Sequence, residues 1–199
     1  VQKGRLGIIG ATPLELSIIS PERIVAEYKA KGWENVICYG MGSTLDDVKN
    51  AAAAEMNIVC SAAAIKAAEY LKEKFGTPYE IEYPQSCLPE EIVQKADNFT
   101  DKNVLVIHNQ TAADAVRKLI TEKSGTSATF FMQKKELSQQ SDFFLADESD
   151  LCDNVGDNYD VVIADKALRC VMKNFSGEFI DFPHFGLSGR LLQGESEKI

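Results

Sequence analysis

At 199 residues and 45% hydrophobic content, the chain has enough apolar material for one large domain or two small ones. A net charge of −9 and a pI near 4.8 exclude a nucleic-acid or anionic-membrane surface, which needs clustered Lys and Arg. No apolar run approaches the roughly 18 residues of a membrane span, and the opening VQKGRLGIIG is not read as a signal peptide. Five cysteines without a CxxC pair are expected to be reduced thiols of a cytoplasmic protein rather than a disulfide framework. A chain that opens at Val1, a few residues before a strand, is read as a piece of a longer polypeptide, whether excised or processed.

Short β-rich runs alternate with helical periods. Leu6–Ile9 is strand-like, and Ser20-Pro21-Glu22 predicts an N-cap, an N1 proline and an acidic first turn for a helix ending at Gly32. Val36–Tyr39 is the second strand. Gly40-Met41-Gly42-Ser43-Thr44 follows, and Thr44 with Asp47 predicts a capping box for a helix reaching about Ala53. Met56–Cys60 is the third strand, and Ala62–Phe75 is the clearest helix, with Ile65, Ala68 and Leu71 at helical spacing. Tyr79–Tyr83 and Leu88–Ala96 predict a fourth strand and a short helix.

After the polar segment from Asp97 to Lys102 the pattern restarts. Val104–Ile107, Ala128–Phe131, Val161–Ala164 and Glu178–Phe182 read as strands, and a helix opens at Thr111. Gln133 to Asp157 is expected to hold short helices or an irregular connection. The predicted fold class is α/β: two Rossmann-like units with parallel sheets flanked by helices, dividing into residues 1–98 and 99–199. A single continuous sheet is the alternative.

Right-handed crossovers gather the carboxyl-terminal loops of parallel strands on one edge, where open α/β sheets bind ligands. Those loops carry Gly40 to Thr44, Cys60-Ser61 and Cys87 in the first unit, and His108 and His184 in the second. A thiolate at Cys60 would be favoured by helix amides, making it a ligand or nucleophile; the competing reading is a small buried residue closing a strand. Cys87, one loop over, is a possible second metal ligand or an incidental loop cysteine, and Cys38, Cys152 and Cys170 read as core or surface residues. Gly40-Met-Gly42 begins a dinucleotide fingerprint but has Leu45 at the third glycine position, so a tight turn competes with anion binding by Ser43, Thr44 and the loop amides. His108 and His184 can ligate metal or move protons near neutral pH, or serve as satisfied polar groups. Arg190, in PHFGLSGRL, faces an anion or caps the terminal segment.

The segments GIIGATP, GSTLDDVKNAAAAEMNIVCSAAAIKAAEYLKEKFGTPY, KNVLVIHNQTAADAVRKLI, DNYDVVIADKAL and FPHFGLSGRL resemble the nitrogenase component 1 family. That family comprises dinitrogen-reducing subunits, cofactor-assembly scaffolds and tetrapyrrole reductases, built from three Rossmann-like domains around a cleft. The resemblance implies that this chain is the second and third of those domains. It implies a cleft holding a metallocluster, an iron–sulfur cluster or a tetrapyrrole, with Cys60 within one position of a cluster-binding cysteine and His184 in the region of a cofactor-contacting histidine. It further implies two partners: an ATP-dependent iron–sulfur reductase and a paralogous or identical component 1 subunit. The cysteines of the family's bridging cluster belong to its first domain. A reductase subunit with His108 or His184 as proton donor is therefore the first functional expectation. A non-catalytic assembly scaffold or small-molecule binding module, closing by a hinge at residues 97–102, is the second.

Overall fold

The structure is a computed structural model; its described residues are 1–99, 101–120, 125–129, 134–155 and 158–195. In chain order the elements are β1 (Gln2–Ile9), α1 (Pro13–Leu16), α2 (Glu22–Ala30), β2 (Asn35–Tyr39), α3 (Leu45–Lys49), β3 (Ala54–Val59), α4 (Ile65–Phe75), β4 (Tyr79–Ile81) and α5 (Glu90–Lys95). Then come β5 (Val104–Ile107), α6 (Gln110–Leu119), β6 (Gly125–Thr129), β7 (Phe143–Phe144), α7 (Glu148–Val155), β8 (Val161–Ala164), β9 (Glu178–Asp181) and α8 (Phe185–Ser188).

The strands form two parallel sheets, not one: a four-stranded sheet in the order β2-β1-β3-β4 and a five-stranded sheet in the order β7-β6-β5-β8-β9. Every registered pair is parallel, so each sheet needs crossover segments on its faces, and its carboxyl-terminal loops share one edge. The expected boundary at residue 98 falls in the turn Ala96–Phe99 that joins the sheets.

Local chemistry accounts for the element ends. Thr44 and Asp47 make the predicted reciprocal cap on α3, which stops at Lys49 before a separate turn at Ala51–Ala53. Asn109 caps α6 by accepting from the Ala112 amide at 2.8 Å, so this helix starts one residue before the predicted Thr111. The cap position of α2 is Pro21, one residue past the predicted Ser20. The second sheet has five strands where four were expected, because Phe143–Phe144 pairs with β6. β6 itself lies at Gly125–Thr129, three residues upstream of the predicted strand, whose end at Phe130 and Phe131 lies outside the described residues.

Each sheet turns one face toward a shared apolar cluster. Leu6, Ile8 and Ile58 of the first sheet join Val104, Val106, Ile163 and Ile180 of the second, with α6 contributing Ala112, Ala113 and Val116. The opposite faces pack separately, Ile9 and Val59 against Ile65 and Ala68 of α4, and Leu105 and Val162 against Leu151 and Val155 of α7. Alternation of side chains along each strand produces this division. The shared cluster packs the two sheets together, and it includes Cys60 and Cys87. Among the described residues, no helix is long and apolar enough to cross a membrane.

Candidate functional site at the junction of the two sheets

His108 follows β5, His184 follows β9, and sheet order brings these two residues, 76 positions apart, into contact with ring centroids 4.5 Å apart. His108 stacks on Phe182 at 4.0 Å, and Tyr83, from the loop after β4, meets both rings edge-on at 6.3 Å. Both histidines are buried, at 1% and 4% exposure, so water cannot solvate an imidazolium at either position. Burial, followed by the neighbouring His184, holds the His108 pKa well below its ordinary value against a hydrogen bond to the Pro183 carbonyl and one with the Asn109 side chain. Burial likewise depresses His184 to about 4, although the Asp165 carboxylate opposes it. At neutral pH both are uncharged imidazoles. They can accept a proton, and they become acids only after negative charge arrives beside them.

Polar contacts tie the two edges together around this pair. The His108 Nε2 lies 3.2 Å from the Pro183 carbonyl, which also accepts from Ser17 Oγ at 2.8 Å. Thr111 Oγ1 donates to the Cys60 carbonyl at 2.7 Å, and the Asn109 amide donates to the Glu15 carbonyl at 2.8 Å. Asp165, fully buried after β8, accepts from the His184 amide at 2.8 Å, from Ser188 Oγ at 2.5 Å and from the Ala167 amide at 2.8 Å. Burial alone would raise its pKa, but those donors and Arg190 outweigh it and keep the group a carboxylate. Arg190 forks onto Asp181 and approaches Asp165 at 3.5 Å, so it caps the terminal segment.

The cysteines do not behave as the helix-terminus argument expects. Cys60 is fully buried and its thiol donates to the Ile9 carbonyl at 3.2 Å. Burial, with the neighbouring Cys87 and Cys38, pushes its pKa well above the ordinary value. Burial raises Cys87 to about 12 as well. The helical amides that would favour a thiolate begin in a single turn at Ala62–Ala64, and the Ala63 amide is taken by Ser61 Oγ at 3.2 Å. Desolvation therefore wins over the dipole. Among the described residues, no group of three or more His, Cys, Asp or Glu side chains is arranged to hold a metal ion. A metallocluster does not fit this donor set as placed, because the Cys60 and Cys87 thiols are buried and protonated and His108 Nε2 already meets the Pro183 carbonyl.

The Gly40–Thr44 loop lies on the same edge but outside the buried junction. Gly40 sits at φ 105°, a conformation that side chains rarely adopt, and its α-carbon faces the Ala11 carbonyl. Its amide reaches Ser43 Oγ at 3.4 Å, while the Thr44 amide donates to Asp47 at 2.9 Å and the Asp47 amide to Thr44 at 3.1 Å. The Gly40 and Thr44 amides are thus taken by the loop and the helix it starts, which favours the tight-turn reading. Ser61 is buried beside Gly10, whose φ of 88° and close approach to Ala64 and Ser61 leave no room for a side chain.

Two grooves reach the junction from outside. One of about 630 Å³ is lined by Arg23, Ser86, Asp181, Pro183 and Arg190, and one of about 290 Å³ by Tyr83, Gln85, Thr111 and Lys118. Sequence reading places Asn109 and Asp165 in the strand-end loops without giving them a role, and it assigns no site role to Tyr83 or Ser17. Asn109 and Asp165 each follow a strand and precede a helical turn, a cap signal that could have found them; Ser17 and Tyr83 carry no such signal.

No family model matches the chain, and no curated protein matches it. Among solved structures, a nitrogenase Cp1 structure at pH 6.5 aligns with a TM-score of 0.60 and 14% identity, over 92% of this chain and 53% of that one. A D-lactate dehydrogenase from Lactobacillus jensenii, crystallised with NAD+, aligns at a TM-score of 0.27 and 9% identity over 80% of this chain and 61% of its own; that value carries no argument. The chain thus spans about half the length of the nitrogenase structure that it matches. Its two parallel sheets and their arrangement have the fold of a nitrogenase component 1 chain.

Proposed function

We propose that this chain forms the second and third Rossmann-like domains, residues 1–98 and 99–199, of a nitrogenase component 1-like oxidoreductase subunit. Their junction would shape one wall of a cleft for a cofactor or a tetrapyrrole-like substrate. The observation carrying the reading is the convergence of both carboxyl edges on the buried His108–His184 pair, within a component 1-like fold. His108 and His184 position and later protonate a group on which negative charge develops. A neutral imidazole at low dielectric gains basicity when an anion forms next to it. Cys60, Ser61 and Cys87 pack the floor of this cleft, and the Gly40–Thr44 loop lies at its rim. Because the donor set does not fit a metallocluster, any cluster would draw its ligands from outside these residues. Electrons would come from an ATP-dependent iron–sulfur reductase, with a paralogous or identical component 1 subunit completing the assembly.

The test is an anaerobic iron and acid-labile sulfide determination, with an absorption spectrum, on the longest natural polypeptide containing this chain and on the chain alone. Cluster in the former and not in the latter supports the reading. No iron in either after reconstitution overturns it in favour of a non-catalytic scaffold or small-molecule binding module, the reading that the protonated, buried Cys60 favours.

A further inference from the structure

Among the described residues the chain passes between the two sheets twice. The first crossing is the polar link before β5. The second comes after α8, where the chain turns back onto the first sheet's loops instead of leaving the second unit. The Leu192 amide donates to the Ser17 carbonyl at 2.8 Å, and the Leu192 side chain is buried at 3% exposure in the cluster that both sheets share. Arg23 donates to the Gln193 carbonyl at 3.3 Å. Glu195 is fully buried; its carboxylate pairs with Arg23 at 2.9 Å and accepts from the Ile19 amide at 3.1 Å. The seat of this segment is strained: Ser17 has a φ of 54°, the one positive value at a non-glycine position among the described residues. Such a conformation persists where its surroundings over-determine it. Here Ser17 Oγ donates to Pro183 and accepts from the Phe185 amide at 2.9 Å, while its carbonyl takes the Leu192 amide.

We infer that residues 190–195 form a latch that holds the two carboxyl edges closed over His108 and His184, fastened by the ion pair between the buried Glu195 and the partly exposed Arg23. The same segment, through Arg190, Leu192 and Gln193, forms a wall of the 630 Å³ groove, and Pro183 lies at the inner end of that groove with its carbonyl against His108. Releasing the latch turns the groove into a path to the histidines. The inference rests on the closed two-sheet geometry and is independent of what the junction binds, so the iron determination above and the test below can fail separately.

The buried thiols report opening. With a thiol-reactive chromogen, Cys152 and Cys170 are exposed and react first, Cys60 and Cys87 are buried at the junction, and Cys38 is buried on β2. The latch predicts that Glu195→Gln and Arg23→Gln each raise the labelling rate of Cys60 and Cys87 on the order of tenfold or more, with exchange of the Val106 amide unchanged. Both variants remove the charge pair and keep an acceptor for the Ile19 amide. Unchanged rates at Cys60 and Cys87, or an equal rise in Val106 exchange, overturn it. In the unmutated chain, hydrogen exchange supplies a check that needs no variant. The Ile19 and Leu192 amides should exchange at a common rate, faster than Val106, and independent rates for those two amides count against a latch.

Discussion

Strands β5 and β8 read VLVI and VVIA and are buried at every position, whereas β1 and β3 carry Arg5, Gly7 and Asn57 through the middle of the first sheet. In β5 and β8 both faces are apolar, and the polar chemistry begins one residue past the strand ends, at His108 and Asp165. In the first sheet polar groups lie within the strands themselves. Asn57 is fully buried and neither its oxygen nor its nitrogen has a hydrogen-bond partner; Arg5 Nε and Nη2 and the Tyr39 hydroxyl are in the same position. An unsatisfied buried polar group costs about 1–3 kcal/mol. The comparison separates two roles: the second sheet is a firm platform with a charged edge, and the first gives up core stability for polar groups whose use is not in the junction. Four measurements bear on it.

The largest effect is expected at the second sheet's edge. Asp165→Ala removes an acceptor that holds the His184 amide, Ser188 and the Ala167 amide, and it leaves those donors buried. Loss of such a partner costs about 3–5 kcal/mol, and a chain of this size then melts roughly 6–20 °C lower. A shift under about 2 °C would mean that the edge is hydrated and not the firm platform described here.

Next in size is the acid limb of stability, which belongs to the same edge. The folded chain excludes the proton that an unfolded imidazole takes up below about pH 6.5, because burial holds His184 near 4 and His108 well below its ordinary value. The unfolded state binds more protons in that window, so this contribution is complete above pH 6.5 and is lost as the pH falls toward 4. The His184 share is on the order of 3 kcal/mol. Urea melts at pH 7 and pH 4.5 measure it, and His184→Gln should flatten the difference. An unchanged pH dependence in that variant would assign the acid sensitivity elsewhere.

The first sheet is probed at Gly7. A β-carbon there would lie 2.2 Å from Asn57 Oδ1 and 2.7 Å from Tyr39 Cε2, so Gly7→Ala should destabilise by about 1–3 kcal/mol. Asn57→Ala removes the nearer obstruction together with two unpartnered groups and leaves the Tyr39 ring. The double variant should therefore recover part of the loss, and the pair should be non-additive. Additive effects would show that the Asn57 side chain does not rest on Gly7.

How much of this was readable in sequence follows the same division. β5, β8 and α4 were legible because an apolar run or a helical period of full length has few alternatives. Phe143–Phe144 was not, since two residues carry no period and their strand exists only through pairing with β6. His108, His184, Cys60 and Cys87 were each legible as strand-end or loop residues. Their meeting was not, because it depends on how the two sheets face one another. Burial reversed the expected chemistry of Cys60: from the sequence its helix-start position argued for a thiolate, and only the packed structure shows desolvation outweighing that dipole. The return of residues 190–195 to the first sheet was hidden for a similar reason. GRLLQGE reads as a loop, and its buried Glu195 becomes intelligible only beside Arg23.

The smallest effect is expected at Thr44, on the exposed rim of the first sheet. Its hydroxyl accepts from the Asp47 amide at 3.1 Å while the Asp47 carboxylate accepts from the Thr44 amide at 2.9 Å, so the pair closes the start of a helix only five residues long. Helices this short owe their existence to caps and packing, not to propensity. Thr44→Ala should therefore cost about 1 kcal/mol or less in global stability. Its local effect should be larger: the α3 amides, from residue 47 to residue 50, should exchange faster while those of β5 and β8 stay protected. Ser43→Ala, which removes the weaker 3.4 Å contact to the Gly40 amide, serves as the control with a smaller change. If instead Thr44→Ala destabilised the chain as much as Asp165→Ala, the rim and the junction would form one cooperative unit, and the Gly40–Thr44 loop would belong to the site itself.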